Sequence, residues 1–136
     1  MLKRLDDDML VAGQIFPQDL AALAAEGVTN IVNNRPDGEA QGQPASAEIA
    51  AAAMAAGIGY RHIPVASEFS ADQVMEMADA LDEPGRILAF CRSGTRSTLL
   101  WALARAQLGD DPEELRAKAE AAGYDLAPIA ALLQAH

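Results

Sequence analysis

Ile87-Leu88-Ala89-Phe90-Cys91-Arg92-Ser93-Gly94-Thr95-Arg96-Ser97 decides how this chain is read. Ile87 to Phe90 is short and continuously apolar, the pattern of a strand buried on both faces of a parallel sheet. Behind it, a turn centred on Gly94 leads into a helix expected from Ser97 to Leu108. Glycine permits positive φ, so that successive N–H groups from Arg92 to Ser97 can point inward as a nest for an anion. The helix start adds unpaired N–H groups and the positive end of its dipole.

Such surroundings favour sulfur as thiolate, which makes Cys91 the expected nucleophile. Arg96 ends the loop, and its planar fork can bind two oxygens of a tetrahedral oxyanion or a sulfur-bearing substrate. Arg92 adds charge at the rim, and Ser93, Gly94 and Thr95 contribute backbone to the anion-binding loop. Ser97 either hydrogen-bonds the sulfur or caps the helix. A lone cysteine is ordinarily a small buried hydrophobe, and only this neighbourhood argues otherwise.

On either side, strand and helix patterns alternate. Met9 to Ile15 reads as a first strand, Gln18 to Glu26 as a helix opened by Pro17, and Val28 to Asn33 as a strand. The exit Asn33-Asn34-Arg35-Pro36-Asp37-Gly38-Glu39 is dense in turn residues and reads as a long surface loop. Ala45 to Ala56 is an alanine-rich helix and Ile58 to Val65 a strand. Ser70-Ala71-Asp72-Gln73 forms a capping box for a helix ending at Leu81, with Val74, Met75 and Met77 on its apolar face. Asp111-Pro112 starts one further helix and Asp125 the last. This order implies one α/β domain over residues 1–136, a parallel sheet of roughly four strands with helices on both faces. Ligands of such sheets sit at the carboxyl ends of the strands, where Cys91 lies.

A net charge of -10 and a pI near 4.4 repel a phosphate backbone, so neither nucleic acid nor an anionic membrane is an expected partner. The expected partner is a small anionic or sulfane-sulfur substrate. One cysteine excludes an internal disulfide, and with only His62 and His136 beside it no metal or other cofactor is expected. No apolar run near the N-terminus suggests a leader or a span, so the expected location is cytoplasmic.

Leu10 to Ile15, Asn34 to Glu39, Ile63-Pro64-Val65, Cys91 to Ser97 and Ala122 to Leu126 together resemble the beta-lactamase-hydrolase-like phosphatase-like domain family over essentially the whole chain. The resemblance implies a protein-tyrosine-phosphatase-like fold. In some relatives the domain is fused to a metallo-β-lactamase-type sulfur-oxidising enzyme, and members have been described both as phosphatases and as sulfurtransferases. The loop departs from the phosphatase pattern: it has one residue fewer between cysteine and arginine, and Phe90 stands where a histidine is usual. Cys-Arg-x-Gly-x-Arg instead resembles the persulfide loop of rhodaneses, a tighter ring suited to a terminal sulfur.

A phosphatase of this kind also needs an acid to protonate the leaving alcohol, worth roughly two to four powers of ten in rate. The stretch Val65 to Phe69 offers only Glu68, with Asp37 and Glu39 further candidates if their loop folds over the site. Arg35 either lines the pocket or braces the turn with Asp37, and His62 reads as structural. The expectation favoured on loop length and acid is a sulfurtransferase: Cys91 holds a persulfide and passes it to a thiol acceptor or a sulfur-oxidising enzyme. The alternatives are a tyrosine- or dual-specificity-type phosphatase acting through a cysteinyl phosphate, and an anion-binding module without turnover.

Overall fold

The computed structural model describes residues 2–134, so His136 lies outside it. The strands are β1 (Lys3–Asp6), β2 (Met9–Ala12), β3 (Val28–Asn33), β4 (Gly59–His62) and β5 (Arg86–Phe90). They form one sheet in the order β1-β2-β5-β3-β4. β2, β5, β3 and β4 are parallel, as expected, and β1 adds a fifth strand antiparallel to β2. The sequence pattern concealed β1 because only Leu5 of its residues is buried, which leaves no alternation to detect.

Helices α1 (Leu20–Ala25) and α2 (Ser46–Ala55) supply Leu20, Leu23, Ile49 and Ala53 to one core, against Ile31, Leu88 and Phe90 of the sheet. Helices α3 (Ala71–Leu81), α4 (Thr95–Gln107), α5 (Pro112–Ala121) and α6 (Ala130–Gln134) build the other core, against Val11, Val32, Ile87 and Ala89. The central strand β5 thus divides by period two, Leu88 and Phe90 to one side and Ile87 and Ala89 to the other. This is why its run is apolar throughout. α4 is buried on nearly all sides, from Ser97 through Ala104, and so holds the start of the loop helix rigid.

Local signals placed several boundaries. Ser70 accepts the Gln73 N–H at 3.1 Å while the Gln73 side chain accepts the Ser70 N–H at 2.8 Å, so α3 begins at the capping box. α4 begins two residues before the expected Ser97, because Gly94 at φ 91° makes the whole turn by itself. β4 stops at His62, short of the expected Val65; beyond it the pairing continues only as single bonds from Ile63 N to Asn33 O and from Val65 N to Asn34 O. Met77 is fully buried, whereas Met75, expected beside it in packing, is 60% exposed.

Candidate active site

Cys91 follows β5 at the carboxyl edge of the sheet, and its N–H bonds to the Ala12 carbonyl at 3.3 Å. Its side chain is fully buried, and its sulfur accepts the Gly94 N–H at 3.1 Å. That bond needs the left-handed turn at Gly94. The turn also brings the glycine against Tyr124: a Cβ there would collide with the tyrosine oxygen. Tyr124 donates its hydroxyl to the Ser93 carbonyl at 3.1 Å and so straps the loop from the segment after α5. Burial, with a smaller contribution from charge on Cys91, pushes the Tyr124 phenol above its ordinary value.

Arg96 lies in the first turn of α4, where helix geometry leaves the N–H groups of Thr95, Arg96 and Ser97 without intrahelical partners. Its guanidinium donates to both Glu39 oxygens, at 2.7 and 2.8 Å, and to the Val65 carbonyl at 2.7 Å. Hydrogen bonding to Glu39, opposed by burial and assisted by the charges of Glu39 and Cys91, holds Arg96 still more firmly in its charged form. Glu39 is in turn held down to about 2, first by the Arg96 hydrogen bond, against burial, and then by Arg35. A carboxylate so clamped is no proton donor near neutrality, so in this arrangement Glu39 is an anchor for two arginines.

Arg35 is buried, 5% exposed, and donates to Glu39 at 2.9 Å and to Gln14 at 2.9 Å. It makes no bond with Asp37, whose carboxylate instead accepts the Ser46 N–H at 2.8 Å and so holds the start of α2. His62 Nε2 bonds to the Arg35 carbonyl at 2.8 Å, a structural tie. Ser97 is buried and donates to Asn34 at 2.8 Å, so its hydroxyl goes to neither of its expected partners. Arg92 and Ser93 are exposed at the rim, and Ser93 and Thr95 hydroxyls pair at 3.0 Å. Glu68 and Arg96 border one cavity of about 420 Å³, completed by Ala66, Ser67, Phe69, Leu99, Pro128 and Leu132.

Sequence reasoning missed Asn34, Gln14 and Tyr124. Asn34 is fully buried: its amide donates to the Ile63 carbonyl at 2.9 Å, and its backbone N–H extends the sheet to the Phe90 carbonyl at 2.8 Å. The expected surface loop therefore begins inside the molecule, with Asn33, Asn34 and Arg35 all buried. Two amides directly after an apolar strand, at the edge where parallel sheets bind ligands, were the available signal.

The family described as beta-lactamase hydrolase-like protein, phosphatase-like domain, matches residues 1–108. The chain belongs to this family. Its relatives include the beta-lactamase hydrolase-like proteins of Agrobacterium fabrum, 38% identical over 76% of this chain, and Xylella fastidiosa, 36% identical over 90%. The chain spans only 24% and 29% of those proteins' lengths. Among solved structures, a suggested phosphatase of Neisseria meningitidis Z2491 is 33% identical, with a TM-score of 0.81 over 98% of this chain and 96% of its own. Tk-PTP in its active form superposes with a TM-score of 0.75 over 98% of this chain and 93% of its own, at 16% identity, which speaks for the fold alone. The family and its structural neighbours are phosphatase-like, and the fold is that of the protein tyrosine phosphatases. They favour the phosphatase alternative over the sulfurtransferase first expected from the loop. Among the described residues, no helix is long and apolar enough to cross a membrane.

Proposed function

We propose that this domain hydrolyses phosphomonoesters through a cysteinyl-phosphate intermediate. The observation that carries the proposal is the cavity that Glu68 shares with Arg96, because it supports Glu68, the carboxylate the sequence offers where a phosphatase carries an aspartate, as the general acid. The Cys91 thiolate attacks phosphorus as the ester P–O bond breaks, and Glu68 gives its proton to the departing oxygen. Water then attacks phosphorus as the S–P bond breaks, Glu68 takes the water's proton, and phosphate leaves with the thiolate restored. Arg96, the loop N–H groups and the start of α4 bear the charge of the transferring group. Reducing surroundings such as the cytoplasm keep the single cysteine available as a thiol.

The test is hydrolysis of phenyl phosphate by the wild type, Cys91→Ser and Glu68→Gln, with intact mass taken on acid-quenched enzyme. The expected result is turnover in the wild type, none in Cys91→Ser, and phosphate trapped on the protein in Glu68→Gln with an activated aryl ester.

Sulfur transfer is the second reading, favoured by the four residues between Cys91 and Arg96. In it, Cys91 attacks the outer sulfur of thiosulfate, the S–S bond breaks, sulfite departs, and an acceptor thiolate later takes the sulfur. A wild type that gains one sulfur atom from thiosulfate but hydrolyses no aryl phosphate would give this reading first place. A glycine inserted between Thr95 and Arg96 separates the two further: it widens the ring, weakening sulfur transfer while sparing vanadate binding.

A further inference from the structure

We infer that the substrate of this site carries an extended apolar group beyond its anionic head, an inference that rests on the anion-binding role proposed above for Arg96. The cavity beside Arg96 does not end at the loop. Phe69 and Leu132 border both it and a second cavity of about 280 Å³, lined further by Val74, Met75, Leu103 and Ala71 and, at polar positions, by Ser70 and Gln107. The two form one groove running from the guanidinium along α3, α4 and α6. Beyond Arg96 and Glu68 at its head, the residues lining it carry no charge.

Its apolar surface is unusually open for this chain. Met75 is 60% and Leu132 48% exposed, two of the five large hydrophobic side chains left in water among the described residues. A sugar or polyol ester would find only Ser67, Ser70 and Gln107 to hydrogen-bond along largely apolar walls, and a strongly anionic chain would meet Glu68 and the protein's charge of -10. The occupant that matches a cation at one end and uncharged apolar walls beyond it is an aryl or alkyl group of at least two rings' length. Pro128 and Leu132 come from beyond residue 108, where the family match ends. The breadth of the groove is thus set partly by the C-terminal segment.

Titration calorimetry with non-hydrolysable phosphonates tests this without requiring turnover. Biphenylphosphonate is expected to bind at least about tenfold more tightly than phenylphosphonate, which in turn exceeds methylphosphonate. Met75→Gln and Leu132→Gln, both at exposed positions, should remove the biphenyl advantage, and Met75→Gln, which lies in the second cavity and outside the one that Arg96 borders, should leave methylphosphonate affinity unchanged. Equal affinity for all three, no measurable binding, or a biphenyl advantage retained in both variants would overturn the inference. So would a dimer of the free protein that Leu132→Gln dissociates, since a second copy would then be the occupant. Hydrolysis of phenyl phosphate is scored separately, so a phosphatase with no preference for apolar groups is told apart from a groove binder that does not hydrolyse phosphate.

Discussion

Glu39 and Arg96 meet end-on, each Glu39 oxygen accepting one N–H from a terminal guanidinium nitrogen, at 2.7 and 2.8 Å, across 57 positions of sequence. The pair welds the loop after β3 to the first turn of α4, and the buried Arg35 bonds the same carboxylate from behind. Two cations around one carboxylate fix the arginine's plane beside Cys91 before any substrate arrives, which lowers the ordering cost of binding an anion.

This network predicts a specific acid response. Glu39 titrates at about 2, below the ordinary 4.5, so its stabilisation is complete above 4.5 and is lost as pH falls toward 2. Glu39→Gln should be less stable than the wild type near neutrality, and its melting temperature should fall less steeply across that acid window. Parallel curves for the two proteins would mean that the ion pair contributes nothing to folding.

Gly94→Ala should destabilise the fold by about 1–3 kcal/mol through its positive φ, and further through the collision with Tyr124. Adding Tyr124→Phe removes the atom nearest the new Cβ and should recover part of that loss. Denaturant melts of the single and double variants measure this directly; no recovery would place the whole cost in the backbone.

Asn34→Ala leaves the Ser97 hydroxyl and the Ile63 carbonyl without their side-chain partner in the interior. The cost should be about 1–3 kcal/mol by chemical denaturation. Turnover should also drop, since β3, the loop after β4 and α4 all meet at this amide. A variant as stable as the wild type would show that water replaces it.

Arg96→Lys should lower kcat/KM for phenyl phosphate by about two to three powers of ten, because an ammonium cannot make two parallel bonds to one anion. Near-native kinetics would move the anion clamp to Arg35 or to the backbone alone.

Glu68→Gln should cost roughly two to four powers of ten on phenyl phosphate and far less on 4-nitrophenyl phosphate, whose leaving group needs little protonation. Equal losses on the two esters would remove Glu68 as the acid.

The sheet, its parallel sense and the strand-to-loop-to-helix passage through Cys91 were legible in the sequence because each depends on neighbours close along the chain. Ile87 to Phe90 has to be buried on both faces, Gly94 is the residue that turns with positive φ, and Ser70 with Gln73 caps its own helix. The partners of Arg96 were not legible in this way. Glu39 and Asp37 are two residues apart and chemically alike, yet one joins the arginines and the other holds the start of α2, a choice made by how the loop after β3 lies across the sheet edge. The contacts of Tyr124 and Asn34 and the groove joined at Leu132 likewise exist only once distant segments pack together. Local backbone chemistry determined where the sulfur stands, whereas long-range packing decided what surrounds it, because a side chain's reach is short and only the fold brings such segments within it.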